Sequence, residues 1–180
     1  LNTYNLIKKS SIQLDFSAFA KGYGVDVIAY YLDSLGFSNY MVDIGGEVHC
    51  KGFNNDGNIW RLGIEEPNEE ERVIYEVVEL NNQAMATSGN YRNFKVLENG
   101  QKIVHIINPK TGYATESNLL SASVIASLDC ADVDAYATSF MAMGLEKTKE
   151  FLVQHKNIDA ILLFVDENGN LKEYKTNTYK

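Results

Sequence analysis

Residues 14–26 read LDFSAFAKGYGVD, and they place Ala18, Ala20, Gly22 and Gly24 at alternate positions at the start of a segment whose later half has helical periodicity. Few features constrain a fold more. Two glycines inside a helix cost about 2 kcal/mol relative to alanines, so something else must offset them. At helical spacing Ala18 lies above Gly22 and Ala20 above Gly24, giving two adjoining strips without side chains. Either another backbone packs closely along those strips or a flat ligand lies on them, and the segment alone leaves both open. Asp15, just before the helix, and Lys21, in its first turns, tilt the balance towards a ligand. A carboxylate, an ammonium and exposed backbone amides make a cradle for a polar molecule with phosphates.

The rest of the chain reads as strands in groups. Ser17 is the expected cap of the first helix, which runs to Leu35, stops at Gly36 and carries the apolar stripe Val25, Ile28, Ala29, Leu32 and Leu35. YMVDIGGEVHCKGF then alternates through Tyr40, Val42 and Ile44 like a strand. Its Gly45-Gly46 pair signals a bulge or a place where a ligand crosses the backbone, with Glu47 either buried or solvated. After a turn at Asp56-Gly57, IWRLGIEEP is expected to return as the partner strand. The acidic run from Glu65 to Glu71 reads as a solvated loop and VIYEVVEL as another strand. Further strands are expected at 92–97, 102–107 and 121–126, with helices over Asp129–Met143 and 145–155 and a last hairpin turned at Asn168-Gly169. Hairpins grouped with about three helices predict an α+β fold, mostly antiparallel, and not a doubly wound parallel sheet. With no repeat, linker or low-complexity tract, residues 1–180 read as one continuous domain.

Charge excludes one class of partner. With 24 acidic against 16 basic residues, a net charge of −8 and no basic cluster, the chain would repel a nucleic-acid backbone. Cys50 and Cys130 have no CxxC spacing and read as free thiols. No apolar run is long enough for a membrane-spanning helix, and LNTYNLIKKSS lacks the layout of a signal peptide.

Three further stretches carry chemistry-bearing residues. In DVDAYATSF, residues 132–140, Asp134 and Thr138 stand at i and i+4, about 6 Å apart on one helix face. Two hard oxygens there suit Mg²⁺, which takes few protein ligands and fills its octahedron with water and phosphate oxygens. Asp132 points off another face, while Ala135 and Ala137 leave room around Asp134. In ATSGNYRNF, residues 86–94, Thr87-Ser88-Gly89-Asn90 reads as a polar turn whose amides suit an anion. In VHIINPKTGY, residues 104–113, His105 ends a strand just before a Pro109–Gly112 turn, whereas His49 and His155 lack such company.

Taken in order, DFSAFAKGYGVD, MVDIGGEVHCKG with WRLGIEEP, ATSGNYRNF, HIINPKTG and DAYATSFMAMG resemble the ApbE family of FAD:protein FMN transferases over roughly residues 12–145. The resemblance implies an extracytoplasmic enzyme, often a lipoprotein. Such an enzyme uses Mg²⁺ to split FAD, moves FMN onto a threonine hydroxyl of a partner flavoprotein and releases AMP. It implies that Asp15 and Lys21 contact FAD, that Ile106 lines the flavin nucleotide, and that His105 assists proton removal from the acceptor hydroxyl. The metal would be held by the main-chain carbonyl of Ala18 with the side chains of Asp134 and Thr138. Asn108 stands where the family usually has aspartate, and Phe16, Phe19 and Val133 replace commoner apolar residues. The family also implies an additional N-terminal portion that supplies further FAD contacts and the lipid anchor. An FAD hydrolase giving FMN and AMP, and a non-catalytic flavin-binding domain, are the other readings of the same residues.

Overall fold

A computed structural model describes residues 14–67, 72–90 and 117–176, the strands at 94–96 and 102–104, and the isolated positions 7, 11 and 112. The elements run α1 (Ala20–Ser34), β1 (Tyr40–Ile44), β2 (Glu47–Lys51), β3 (Trp60–Glu65), β4 (Ile74–Leu80), β5 (Gln83–Gly89), β6 (Phe94–Val96) and β7 (Lys102–Val104). They continue with β8 (Leu119–Ala126), α2 (Cys130–Met143), α3 (Leu145–Gln154), β9 (Asp159–Val165) and β10 (Leu171–Lys175). Among the described residues, three helices with antiparallel pairings give the expected α+β class.

Six strands form the central sheet in the order β1-β2-β5-β8-β9-β10. Its two faces carry separate cores. On one face Val42, Ala86, Val124 and Leu162 meet Val25 and Ala29 of α1 and Val133, Ala137 and Phe140 of α2. On the other, Val48, Met85, Ile125 and Leu163 are covered by Ile64, Val78 and Leu80 of the β3–β4 hairpin. A strand clad on both faces needs little polar alternation, and β8 (LLSASVIA) is buried at every position but one. The hairpin is fastened at its edges: Trp60 Nε1 donates to the Lys51 carbonyl at 3.0 Å, and the Tyr75 hydroxyl donates to Glu173 Oε2 at 2.6 Å.

Several expectations need correction. Trp60–Glu65 pairs with Ile74–Leu80 and not with the Tyr40 strand, because its apolar side chains close over the second core. Gly45-Gly46 is the two-residue turn between β1 and β2, not a bulge; both glycines have positive φ, +64° and +99°, as tight hairpin turns require. Thr87, Ser88 and Gly89 belong to β5, paired with Ser123, Ala122 and Ser121, where a polar turn was expected. Their small polar side chains read as a turn, yet the pairing between two interior strands sets their conformation. Ser17 does not cap α1: the helix starts at Ala20 with Phe19 in the cap position and no side-chain cap bond.

The buried edge of α1 also differs from the stripe read in the sequence. Gly22, Val25, Asp26 and Ala29 are buried and Leu32 is half-buried, whereas Ile28 and Leu35 are exposed. The reason lies in α2. A Cβ on Gly22 would stand 2.4 Å from the Cys130 carbonyl oxygen and 2.7 Å from the Ala131 nitrogen. Gly22 is therefore bare because another backbone passes there. The two helices pack main chain against main chain there, and a β-carbon at position 22 would push them apart.

Candidate active site at the crossing of two helices

The crossing brings buried charge together. The first amides of any α-helix lack intrahelical acceptors. In α1 one of them, the Gly22 N–H, donates to Asp134 Oδ2 of α2 at 3.1 Å. In α2 the Cys130 and Ala131 N–H groups donate to Asp26 Oδ1 and Oδ2 of α1 at 2.7 and 2.8 Å. Each helix thus supplies the carboxylate that satisfies the other's N-terminus. Asp26 and Asp134 are both buried, and each favours the positive end of the dipole it faces.

Around Asp134 the other polar groups gather. Lys21, the second residue of α1, forms an ion pair with Glu47 at the start of β2. Glu47 is only 2% exposed. Burial pushes its carboxyl above the ordinary glutamate range, opposed by the hydrogen bond and charge of Lys21. Burial likewise pushes the Asp134 carboxyl up, opposed by the Gly22 N–H and more weakly by the charge of Lys21. One turn along α2, Thr138 Oγ1 lies 3.1 Å from Ser88 Oγ of β5. Asp134 and Thr138 therefore share one face of α2 and look towards α1 and β5, as their spacing predicted. Asp132 is exposed on another face.

A cavity of about 810 Å³ opens beside this cluster. Lys21, Asp43, Gly45, Gly46, Thr87, Gly89 and Arg72 form its polar rim, and Leu62, Ile64, Val48 and Met85 its apolar wall. Asp134 and Thr138 do not line it, so Lys21 is the residue common to the cavity and the buried cluster. The volume falls within the range of small-molecule sites, which combine apolar walls with a few convergent polar groups.

The remaining expected residues are placed as follows. Asp15 is exposed and accepts the Ser17 N–H at 2.8 Å; hydrogen bonding from Ser17 holds its carboxyl below the ordinary aspartate range. Ala18 is half-buried in the turn before α1, one helical turn ahead of Gly22. A longer helix would aim the Gly22 amide at the Ala18 carbonyl; here that amide goes to Asp134. His105, Ile106 and Asn108 lie outside the described residues. His49 is half-buried beside Tyr40, and His155 stacks on Phe151 with ring centroids 3.7 Å apart. Cys50 and Cys130 are buried free thiols, and burial pushes Cys50 up to about 12.

The donor set suits a hard cation better than a soft one. Among the described residues no three His, Cys, Asp or Glu side chains gather as a metal site. The Asp134 carboxylate and the Thr138 hydroxyl make a sparser pair of hard oxygens, of the kind Mg²⁺ uses when substrate oxygens and water complete its shell. A buried carboxylate whose ionised form is only partly compensated, as in Asp134, is what such a cation would relieve.

Sequence reading missed two participants. Glu47 had no pattern to decide its burial; only the β1–β2 register and the helix above it do so. Asp26 was hidden on a helix face read as apolar, and its signal, a carboxylate four residues after Gly22, gains meaning only once α2 is in place.

The family model described as ApbE family matches residues 1–162. The FAD:protein FMN transferase of Vibrio cholerae serotype O1 is 40% identical over 169 residues, 94% of this chain and 49% of that protein. The protein of the same name from Escherichia coli K12 is 34% identical over 94% of this chain and 47% of its own length. Among solved structures, the flavin transferase ApbE from Vibrio cholerae superposes with a TM-score of 0.80 at 38% identity, covering 92% of this chain and 51% of that one. The apo form of the Pseudomonas stutzeri flavinyl transferase ApbE gives 0.77 at 30% identity, covering 93% and 50%. The chain spans about half the length of the curated relatives it matches.

Proposed function

The chain belongs to the ApbE family, and from that premise we propose that the protein carrying it transfers FMN from FAD to a threonine of an acceptor flavoprotein, releasing AMP. One observation carries the reading. Residues 112 positions apart, Gly22 and Asp134, are hydrogen-bonded, and this brings a buried carboxylate to the N-terminus of α1, next to Lys21, which itself lines the cavity.

In the reaction the acceptor hydroxyl oxygen bonds to the FMN-side phosphorus of FAD while the bond from that phosphorus to the AMP oxygen breaks. The hydroxyl proton passes to a base, and AMP leaves with the electron pair of the broken bond. Lys21 meets the diphosphate from the cavity wall, and Asp15 takes a polar group of the same nucleotide. Ile106 lines the flavin nucleotide, and His105 receives the proton, since a threonine hydroxyl is too weakly acidic to lose it unaided. Asp134, Thr138 and the Ala18 carbonyl would hold Mg²⁺, which would neutralise charge on the diphosphate when bound. The tight α1–α2 contact supports these roles by fixing the two halves of the donor set relative to each other.

The test incubates the complete protein with FAD, Mg²⁺ and a candidate acceptor. Flavin fluorescence that stays on the acceptor band through denaturation, and vanishes when the acceptor threonine is replaced by alanine, is the expected result. AMP release with no acceptor present would make the protein an FAD hydrolase, and tight FAD binding without turnover a flavin-binding domain. The reading extends to an extracytoplasmic location, which cell fractionation checks.

A further inference from the structure

Glu47 is the least expected member of the cluster. It is the first residue of β2, directly after the Gly45-Gly46 turn, and its neighbours Val48 and Cys50 point into the core beneath the β3–β4 hairpin. Period-two alternation turns Glu47 the other way, towards α1. There its carboxylate is buried and forms an ion pair with the Lys21 ammonium; among the described residues no other partner reaches its Oε2. As cement this is a poor choice, because a buried ion pair is commonly no better than well-packed apolar residues.

The pair is one-sided. The Glu47 side chain is 2% exposed, but the Lys21 side chain is 48% exposed and lines the cavity. A lysine free to rotate loses considerable rotamer entropy when a ligand immobilises it. A carboxylate fixed in the sheet removes that loss beforehand. Lys21 Nζ pairs with Glu47, and among the described residues no ion pair joins it to Asp134. Gly45 completes the arrangement: a Cβ there would touch Lys21 Cδ at 3.6 Å, so the turn lies directly along the lysine stem.

We propose that Glu47 is the positioning residue for Lys21, holding its ammonium at the cavity wall where the diphosphate of the dinucleotide is met. The inference rests on the transferase reading and deepens it by naming what aims one of its binding groups.

The experiment measures the dissociation constant of FAD, by flavin fluorescence with Mg²⁺ present, in the complete protein and in Glu47→Gln, Lys21→Met and the double variant. Glu47→Gln is expected to weaken binding about 10-fold, the scale typical of outer-shell partners, and Glu47→Asp to recover part of that loss. In the Lys21→Met background Glu47→Gln should change affinity by less than about 2-fold, since a residue acting through another has nothing left to act on. Thermal midpoints give a second readout. Lys21→Met should lower the midpoint by leaving Glu47 unpaired, and Glu47→Gln should restore part of it. Equal losses of affinity in both backgrounds, no loss in either, or no restoration of the midpoint would overturn the positioning role while leaving the transferase reading standing. If Lys21→Met itself binds FAD as tightly as the unaltered protein, or the unaltered protein binds none, the fault lies in the preceding functional reading, and this inference falls with it.

Discussion

The N-termini of α1 and α2 are both capped from outside by an aspartate of the other helix, yet the two caps differ in how much of the carboxylate they consume. Asp26 gives one oxygen to each of two successive amides of α2, at 2.7 and 2.8 Å. Asp134 gives Oδ2 alone to one amide of α1, at the longer distance of 3.1 Å. Asp26 is a clamp: its hydrogen-bonding capacity is directed at the helix it holds. Asp134 sits among Lys21, Glu47 and Thr138, where burial raises its carboxyl and only a single N–H and a neighbouring charge oppose the rise. The same residue type at two matching positions serves structure in one case and, in the proposed reaction, a cation in the other.

The comparison breaks most easily at the contact both caps depend on. Gly22→Ala places a methyl 2.4 Å from the Cys130 carbonyl oxygen, and the neighbouring atoms are main chain, so relief requires moving a helix. Chemical denaturation should show a loss of about 3 kcal/mol despite the better helix propensity of alanine. Unchanged stability would mean the helices do not touch there.

Next in size, Asp26→Ala leaves one buried and one half-buried amide without acceptors and should cost about 2–3 kcal/mol. Asp134→Asn keeps an acceptor oxygen for Gly22 and should cost about 1 kcal/mol or less, yet lower FMN transfer on the order of 100-fold. If the two variants instead lose stability equally and transfer survives in Asp134→Asn, the distinction between clamp and site is wrong.

The pH dependence sharpens the contrast further. Because the folded Asp134 carboxyl lies above its unfolded value, the native chain holds more protons than the unfolded chain between those two values. The contribution of Asp134 to stability therefore falls as pH rises through that window. Relative to Asp134→Asn, the metal-free protein should lose stability as pH increases across it, and the difference should be flat above and below. A difference that grows in the opposite direction would mean the folded carboxyl is lowered. The smallest effect belongs to Asp132→Asn: that residue is exposed, and both stability, within about 0.5 kcal/mol, and transfer should be unchanged.

Much of the architecture was legible. Period-two alternation marked β1, the Asn168-Gly169 turn marked the last hairpin, and Gly36 marked the end of α1. The miss at β5 has a plain cause. Thr87–Gly89 is small and polar, with little β propensity of its own, and it continues the strand because it pairs with Ser121–Ser123 of β8. The partner of β3 was misread for a related reason, since hairpin proximity favours the strand before while burial favours the strand after. In the site, the i, i+4 spacing of Asp134 and Thr138 could be read directly, because helix geometry is local. The places of Glu47, Asp26 and Ser88 could not, because each depends on what lies across from it.

By itself the sequence determined roughly where the helices lie, where the last hairpin reverses and which hard-oxygen side chains share a face of α2. These follow from periodicities a few residues long and from the backbone freedom of glycine. Only the tertiary structure decided that Gly22 is bare for the sake of another backbone, that two aspartates cap each other's helices, and that Lys21 is gripped by a carboxylate from the sheet. Those contacts join residues up to 112 positions apart, and their energies depend on burial, which no local pattern encodes.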